Sequence, residues 1–334
     1  MKYCGRWCLV IVLSLLPVLS LSCSKKSQSI TGTETDSLKA SYLKHFNTLD
    51  NIGRDTLLLN NKLESAVEAN DTVTQLIVLN RLSDIYKTQN QFSNAIKSEL
   101  AFQQMAQHAG SIYLTSVSMN RQADIYMSLN LLDEASRLYY NVLKDCRDHN
   151  QNDSLAVAQK AVAYSGVGTI FLLLNMHNKA TDYLNKSAEL LQGKSDKLLL
   201  FDILLMKGRL MQNQEQYDSA RQYINEALKL SLASNSRSAL AKAFLSFGVL
   251  EFRQNNFAEA EINLTNAYNT LKNTTDKVNL IKICNSLGDT FVGQERFADA
   301  EHIYLEGLEL SHELGHSYYL ERLNYKLSRL FKIK

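Results

Sequence analysis

Small residues recur along this chain of 334 residues at an almost constant spacing, and this regularity constrains the fold more than any other feature. Successive gaps in the series are 40, 45, 40, 40, 40 and 40 residues, and a second series of alanines follows the first six members at an offset of 12. The first series is Ser83, Ala123, Gly168, Gly208, Gly248, Gly288 and Ser328; the second is Ala95, Ala135, Ala180, Ala220, Ala260 and Ala300. A fixed period in this range predicts a solenoid of stacked repeats instead of a compact enzyme core.

Apolar residues between these small positions predict a pair of helices in each repeat. In the fourth repeat, Leu204, Gly208 and Met211 share one helix face, and after a polar turn Ala220 and Ile224 mark the face of a second helix. We expect Gly208 and Ala220 to be small because the two helices approach closely there. We therefore predict an all-α fold, an α-solenoid of antiparallel helix pairs, as a single body over residues 37–334. Residues 37–74 form a divergent cap repeat, 75–310 six repeats, and 311–334 a C-terminal half repeat. We expect Leu327 and Phe331 to continue the buried face in this last helix.

The repeats resemble the tetratricopeptide repeat (TPR). Repeat six carries the pattern best, with Leu287-Gly288, Phe291, Ala300 and Tyr304 at the family's spacing. The period of 40 exceeds the 34 residues of that family, and the usual proline is missing, so the repeats look like the longer ones of bacterial sensor and regulator proteins. The resemblance implies a right-handed superhelix with a concave face that is lined by the first helix of each pair.

The first residues are typical of an export signal. Lys2 and Arg6 precede an apolar stretch from Leu9 to Leu21, which is shorter than a membrane-spanning helix. The segment ending at Cys23 resembles a bacterial lipoprotein box, although Ser20 stands where that box prefers leucine. We expect a signal peptide over residues 1–22 and then a lipidated Cys23 with a flexible tether, residues 23–36. An ordinary secretory signal with a chance cysteine is the alternative.

Removal of the signal peptide leaves equal numbers of basic and acidic residues, 34 of each. This balance argues against binding to nucleic acid, which calls for a basic surface. Cys146 and Cys284 lie far apart in the repeat frame, because one falls in repeat two and the other in repeat six. We expect both to be free, buried thiols.

One motif of enzyme chemistry requires attention. His312-Glu313-Leu314-Gly315-His316 spells the zinc peptidase pattern, which needs both histidines on one helix face, a glutamate and a third ligand. The motif falls where other repeats have their inter-repeat turn, Gly315 is expected to end a helix, and no histidine follows His316. The remaining interpretations are a plain turn and a chance pair of metal-binding histidines on the surface. We therefore expect no enzyme, no metal and no cofactor.

The concave face offers the best candidate binding surface, because positions beside each small residue of the first helices point to it in tetratricopeptide folds. These candidates for partner binding are Asn80, Asp84, Asn120, Asp124, Thr169, Leu205, Arg209, Leu245, Asn285 and Asp289. Apolar residues in the middle suit a helix or an extended peptide, although they could equally pack the superhelix. The family's clamp for acidic C-terminal tails, a Lys and Asn pairing, is missing, so such tails are not expected.

The sequence therefore predicts a non-catalytic scaffold that binds a protein or peptide and is held by lipid on a bacterial envelope membrane, facing the periplasm. Two alternatives stay open: a sensor or partner in an envelope signalling system, and a glycan-capture lipoprotein. The partner's identity, the membrane that holds the anchor and the oligomeric state are left open.

Overall fold

The computed structural model describes residues 32–46, 55–147, 154–191 and 197–333, and within these ranges all regular structure is α-helical. The helices are α1 (Gly32–His45), α2 (Thr56–Glu68), α3 (Thr72–Thr88), α4 (Phe92–His108), α5 (Ile112–Ser128), α6 (Leu132–Asp145), α7 (Ser154–Leu173), α8 (His177–Leu191), α9 (Lys197–Asn213), α10 (Tyr217–Ala233), α11 (Arg237–Arg253), α12 (Phe257–Leu271), α13 (Lys277–Gly293), α14 (Phe297–Glu313) and α15 (Ser317–Ile333). From α3 onward, odd-numbered helices are the first helices of repeats and even-numbered helices the second.

Six helix pairs, α3–α4 to α13–α14, stack in chain order, and each second helix packs on the first helix of the next repeat. Neighbouring first helices also touch along the stack, as α9 does with α11 and α11 with α13. This arrangement confirms the predicted all-α solenoid. It also leaves one continuous face lined only by first helices.

The turn within each repeat ends on a residue in the left-handed backbone region. Asn90, Asn130, Asn175 and Asn255 take this conformation with φ between 56° and 60°, and Glu215 and Glu295 take it in the other two repeats. Asparagine tolerates this region better than most residues. Between repeats, side-chain caps such as Asp276, which accepts a hydrogen bond from the backbone N–H of Asn279, begin the next helix. These turns and caps supply the helix boundaries without proline.

The small residues of the 40-residue series lie where the two helices of a repeat approach most closely. A methyl group at Gly248 would overlap Leu264, and one at Gly288 would overlap the ring of Tyr304. Gly208 is similarly close to Ile224. The predicted reason for the periodic small residues, close helix contact, is confirmed.

Several expectations about individual segments can be compared with the structure. α1 begins at Gly32, so the end of the expected tether is helical, and α1 packs on α3. Phe331 was expected on the buried face of α15 but is 56% exposed, because among the described residues no second helix covers that side. Cys146 and Cys284 are buried thiols that are not joined in a disulfide, as predicted. Cys23 and the signal peptide lie outside the described residues.

The solenoid curves so far that distant turns meet. The side-chain amide of Asn90, in the α3–α4 turn, donates a hydrogen bond to the carbonyl of Leu314, in the α14–α15 turn. A cavity between these turns is also lined by residues of the α12–α13 turn, including Asp276. The first and last complete repeats therefore face each other.

Helix α7 includes a stretch, Leu155–Leu173, that is long and apolar enough to cross a membrane. Half of its best window is buried inside the protein, and α7 packs against α5, α6, α8 and α9. It is accordingly a core helix of the stack in this structure.

Candidate functional site: a groove lined by first helices

A cavity of about 550 Å³ opens on the face of the first helices, and we call it the groove. Every lining residue comes from α9, α11, α13 or α15. The lining residues are Asp202, Leu205, Met206, Arg209, Gln212, Lys242, Leu245, Ser246, Val249, Phe252, Arg253, Asn279, Lys282, Asn285, Ser286, Asp289 and Arg322. Five of the predicted candidates are therefore brought together here: Leu205, Arg209, Leu245, Asn285 and Asp289.

Apolar side chains from two neighbouring helices form the middle of the groove. Leu205 and Met206 come from α9, and Leu245, Val249 and Phe252 come from α11. All five are partly buried, so they are accessible in the ligand-free chain. Such a surface gains free energy when an apolar ligand covers it, by roughly 25 cal/mol for each Å² removed from water.

Both carboxylates that line the groove are already engaged in ion pairs. Asp202 accepts a hydrogen bond from the Lys242 ammonium at 3.2 Å. Asp289 receives the Lys326 ammonium at 2.6 Å and the Tyr304 hydroxyl at 2.6 Å. Neither acid is therefore available to neutralise the other cations of the groove.

Four further cations line the groove and form no ion pair with any described residue: Arg209, Arg253, Lys282 and Arg322. Arg253 donates to the carbonyl of Gln212, and Arg322 donates to Asn285 Oδ1 at 3.2 Å. The groove is consequently basic, although the expected mature chain is balanced in charge.

Lys282 is the most constrained of these cations. Burial lowers the pKa of its ammonium, the neighbouring Lys242 and Arg209 lower it further, and Asp276 and Asp202 act in the opposite direction. Its hydrogen-bond acceptor is Asn279 Oδ1, at 3.4 Å. A desolvated ammonium beside like charges favours an anion at this point.

In the N-terminal repeats, the predicted candidates make internal contacts instead. Arg121 donates to the backbone carbonyl of Asn80 at 3.1 Å and to Asp84 Oδ1 at 2.9 Å, and it also pairs with Glu99 at 2.5 Å. The Glu99 side chain is completely buried. Arg121 and Glu99 thus form an ion cluster that the sequence reasoning missed.

The next candidates are likewise occupied. Asn120 is buried and donates to both the carbonyl and the side chain of Gln159, and Asp124 accepts the Tyr139 hydroxyl at 2.6 Å. Thr169 bonds the Ser165 carbonyl and Met206 Sδ. These three residues therefore join helices of the stack.

A simple signal in the sequence could have found one of these internal contacts, the bond between Asp124 and Tyr139, and its equivalent between Asp289 and Tyr304. In both pairs the residue beside the small residue meets a tyrosine 15 positions later, on the second helix of the same repeat. The residue at that later position is Glu99, Tyr139 or Tyr304 where the first position is aspartate, and Leu184, Ile224 or Leu264 in the other three repeats. The corresponding residue for Arg209 is the apolar Ile224, whose side chain has no hydrogen-bonding group, and Arg209 is exposed and lines the groove.

A second cavity, of about 380 Å³, adjoins the groove and shares Asp289 and Arg322 with it. Its walls include Val292 of α13 and the α15 residues Tyr325, Leu330 and Ile333. The basic groove therefore continues into an apolar cavity.

The histidine motif lies in the predicted turn. α14 ends at Glu313, Gly315 has a φ of +60°, and His316 precedes α15, so His312 is on α14 whereas His316 lies in the turn. Burial lowers the pKa of His316, with Lys282 adding to the effect. Among the described residues, no group of three potential metal ligands is found there or elsewhere.

Comparison with known proteins supports the repeat assignment. The tetratricopeptide repeat family model matches residues 201–233, which span α9 and α10. No curated protein matches the chain.

Solved structures share the fold at low sequence identity. A Rap protein complexed with competence and sporulation factor is 14% identical, with a TM-score of 0.59 over 93% of this chain and 89% of that one. A tetratricopeptide repeat protein from Parabacteroides merdae is 13% identical, with a TM-score of 0.56 over 90% and 100%. The apo quorum sensor NprR from B. thuringiensis is 16% identical, with a TM-score of 0.50 over 83% and 88%. The matched segment and the shared fold together support a tetratricopeptide-repeat solenoid.

Proposed function

We propose that this chain is a non-catalytic scaffold whose groove binds a peptide or an extended segment of a partner protein. The observation that carries the proposal is the cavity of about 550 Å³, which side chains of four successive first helices line together. Ligand sites in proteins typically measure about 300–1,000 Å³. A face built by several repeats also offers more length than a compact small molecule needs.

The chemistry of the lining suits a peptide. Apolar side chains such as Leu245 and Phe252 alternate with groups that accept or donate hydrogen bonds, such as Ser246, Asn279 and Ser286. A peptide backbone needs both kinds of contact, because its side chains pack while its N–H and C=O groups require partners.

A photoreactive amino acid can test this proposal directly. Placed at Val249 on the floor of the groove, it should cross-link a defined partner segment in the native envelope, and mass spectrometry would identify that segment. The matched control is Ile262, which is 54% exposed on the second helix α12. Equal labelling from both positions, or none from Val249, would contradict binding in the groove.

The second part of the proposal concerns location. We propose that Cys23 is lipidated after removal of residues 1–22 and that it holds the solenoid on a bacterial envelope membrane, facing the periplasm. The basic start, the apolar stretch and the cysteine support it. Metabolic labelling with an alkyne fatty acid should tag the wild type and not Cys23→Ser, and the variant should leave the membrane fraction. Unchanged labelling of Cys23→Ser would refute the anchor.

A role in envelope signalling is a second candidate. It is favoured by the shared fold with a Rap protein in complex with a factor and with a quorum sensor. In this version, the bound segment changes the chain's interaction with a downstream component. Deletion of the gene should then alter transcription of a defined set of genes, and Val249→Asp should reproduce that change.

A further inference from the structure

We propose that the groove selects acidic peptide segments, with carboxylates bound by Arg209, Lys282 and Arg322 around the apolar floor. This inference rests on the proposed function, because it names the chemical class of the peptide. The clamp of paired Lys and Asn positions is missing from this chain, yet the groove gathers cations at other positions.

The charges of the groove are unequal after every internal pair is formed. Five cations and two carboxylates line it. Lys242 is paired with Asp202, and Asp289 is paired with Lys326 from outside the lining. Four cations therefore lack a carboxylate partner within the described part of the chain, and an occupant with several carboxylates would complement them.

The four cations are distributed evenly along the solenoid. Arg209 lies on α9, Arg253 on α11, Lys282 on α13 and Arg322 on α15, so each successive first helix contributes one. A peptide that crosses these helices would meet one cation per helix. This arrangement favours a linear segment with spaced acidic residues over a single compact anion.

Two of these cations are held in place by contacts that leave hydrogen-bond donors unused. Arg322 uses Nε for Asn285 and Nη1 for Tyr318, while Arg253 donates from Nη1 to a carbonyl. A guanidinium has five N–H donors, and its strongest partner is a carboxylate. The remaining donors can therefore bind an acidic side chain without breaking the existing contacts.

The apolar floor restricts the peptide further. Leu205, Leu245 and Phe252 lie among the cations, and the adjoining cavity adds Tyr325 and Ile333. A strand of nucleic acid would satisfy the charges but would leave the aliphatic Leu205, Leu245 and Ile333 without partners. The preferred occupant is accordingly an acidic segment with interspersed large apolar residues.

A display library of random 12-residue peptides, panned against the full chain in about 150 mM salt, tests the inference. Enriched peptides should carry an excess of Asp and Glu with Leu, Ile or Phe between them. A synthetic peptide from the enriched set should lose at least about 10-fold in affinity when its acids become amides, since charged hydrogen bonds contribute about 1.5–3 kcal/mol each. Peptides enriched without acidic bias would overturn the inference and leave the proposed function standing, whereas no enriched peptide would count against both.

Variants that lack the four unpaired cations identify the surface that binds acidic peptides. Arg209→Gln, Arg253→Gln, Lys282→Gln and Arg322→Gln together should abolish the acidic preference. A matched variant removes four exposed cations at second helices, Lys97, Arg137, Lys229 and Lys272, and should bind as the wild type does. Equal loss in both would mean non-specific attraction and would overturn the inference.

A gain-of-binding variant guards against a folding defect. Asp202→Asn releases Lys242 from its ion pair and adds a fifth unpaired cation, so the acidic peptide should bind about threefold more tightly. Weaker binding by this variant would contradict the assignment. A single-stranded oligonucleotide that binds as tightly as the peptide would replace the acidic-peptide inference with a general anion site.

Discussion

The N-terminal and C-terminal repeats place their first helices alike, yet the predicted candidates differ between them: those of the described N-terminal repeats bond within the stack, whereas Arg209 of the C-terminal repeats lines the groove without an ion pair. In the N-terminal repeats, Asp84 is held by Arg121, and Asp124 is held by Tyr139. In the C-terminal repeats, Arg209 occupies the equivalent position, forms no ion pair with any described residue, and lines the groove. The comparison teaches that the same position in a repeat can bond within the stack or line the groove, depending on which side chain occupies it.

The largest effect is expected when one arginine from each region is replaced by methionine. Arg121→Met should lower the free energy of unfolding of the N-terminal repeats by about 3–5 kcal/mol, because it leaves the buried Glu99 carboxylate without its counter-charge. Arg209→Met should change stability by less than about 0.5 kcal/mol, since its side chain is exposed.

Urea unfolding with hydrogen exchange would measure both variants and locate the loss to α3–α6. Because solenoid stability is a sum over neighbouring repeats, local exchange rates are more informative here than a single midpoint. A loss of less than 1 kcal/mol in Arg121→Met would mean that the ion cluster contributes little and that the contrast between the two regions is wrong.

Two tyrosines sharpen the comparison at equivalent positions. Tyr139→Phe should cost about 1–2 kcal/mol, because the bond to Asp124 is lost from a buried hydroxyl site. Tyr304→Phe should cost about half as much, because Asp289 keeps the Lys326 ammonium as a partner. Thermal unfolding of both variants beside the wild type would measure the difference, and a larger loss for Tyr304→Phe would contradict it.

Much of the fold was predictable because it follows from local rules. The period placed the helix pairs, the small residues marked close helix contacts, and Gly315 marked the end of α14. The same repeat period predicted that Arg209, Leu205 and Leu245 line the concave face, where they form part of the groove.

The internal contacts of the N-terminal candidates were not predictable in the same way. Asp84 is bound by Arg121, which lies 37 residues away in the next repeat, and Asn120 is bound to Gln159, 39 residues away. No periodic rule fixes such pairs, because they depend on individual side chains in neighbouring repeats. The burial of Phe331 was predicted wrongly for a related reason, because it requires another helix to pack on α15.

A smaller effect should appear at Lys282, whose charge is uncompensated in the free groove. Its pKa is lowered from the ordinary value of 10.5, so the unfolded chain holds this proton more tightly than the folded chain. Stability should therefore rise as pH increases from the lowered pKa to about 10.5, and the penalty below that window should be constant. Lys282→Met should stabilise the ligand-free chain by under about 1 kcal/mol and remove this rise.

Denaturant midpoints of wild type and Lys282→Met, measured at several pH values and subtracted, isolate this one group from the other lysines. The extra stability of Lys282→Met over the wild type should shrink as the pH approaches 10.5. A difference that grows with pH would show that Lys282 is stabilised by its surroundings, and would remove the reason for an anion there.

The smallest expected effect concerns the contact that joins the two regions. Asn90 donates to the carbonyl of Leu314, which connects turns 224 residues apart in the chain. Asn90→Gly keeps the left-handed backbone, with φ near 56°, and removes only the side-chain amide. Stability should change by less than about 0.5 kcal/mol, because a solenoid is held by neighbouring repeats. The radius of gyration from small-angle X-ray scattering should nevertheless increase, since nothing else described joins these two turns by a hydrogen bond.

Asn130→Gly, in the equivalent turn of the next repeat and with φ 59°, is the control and should leave the radius unchanged. Identical scattering from both variants would mean that curvature is set by the packing of successive repeats alone, and the groove would then keep its shape without this contact.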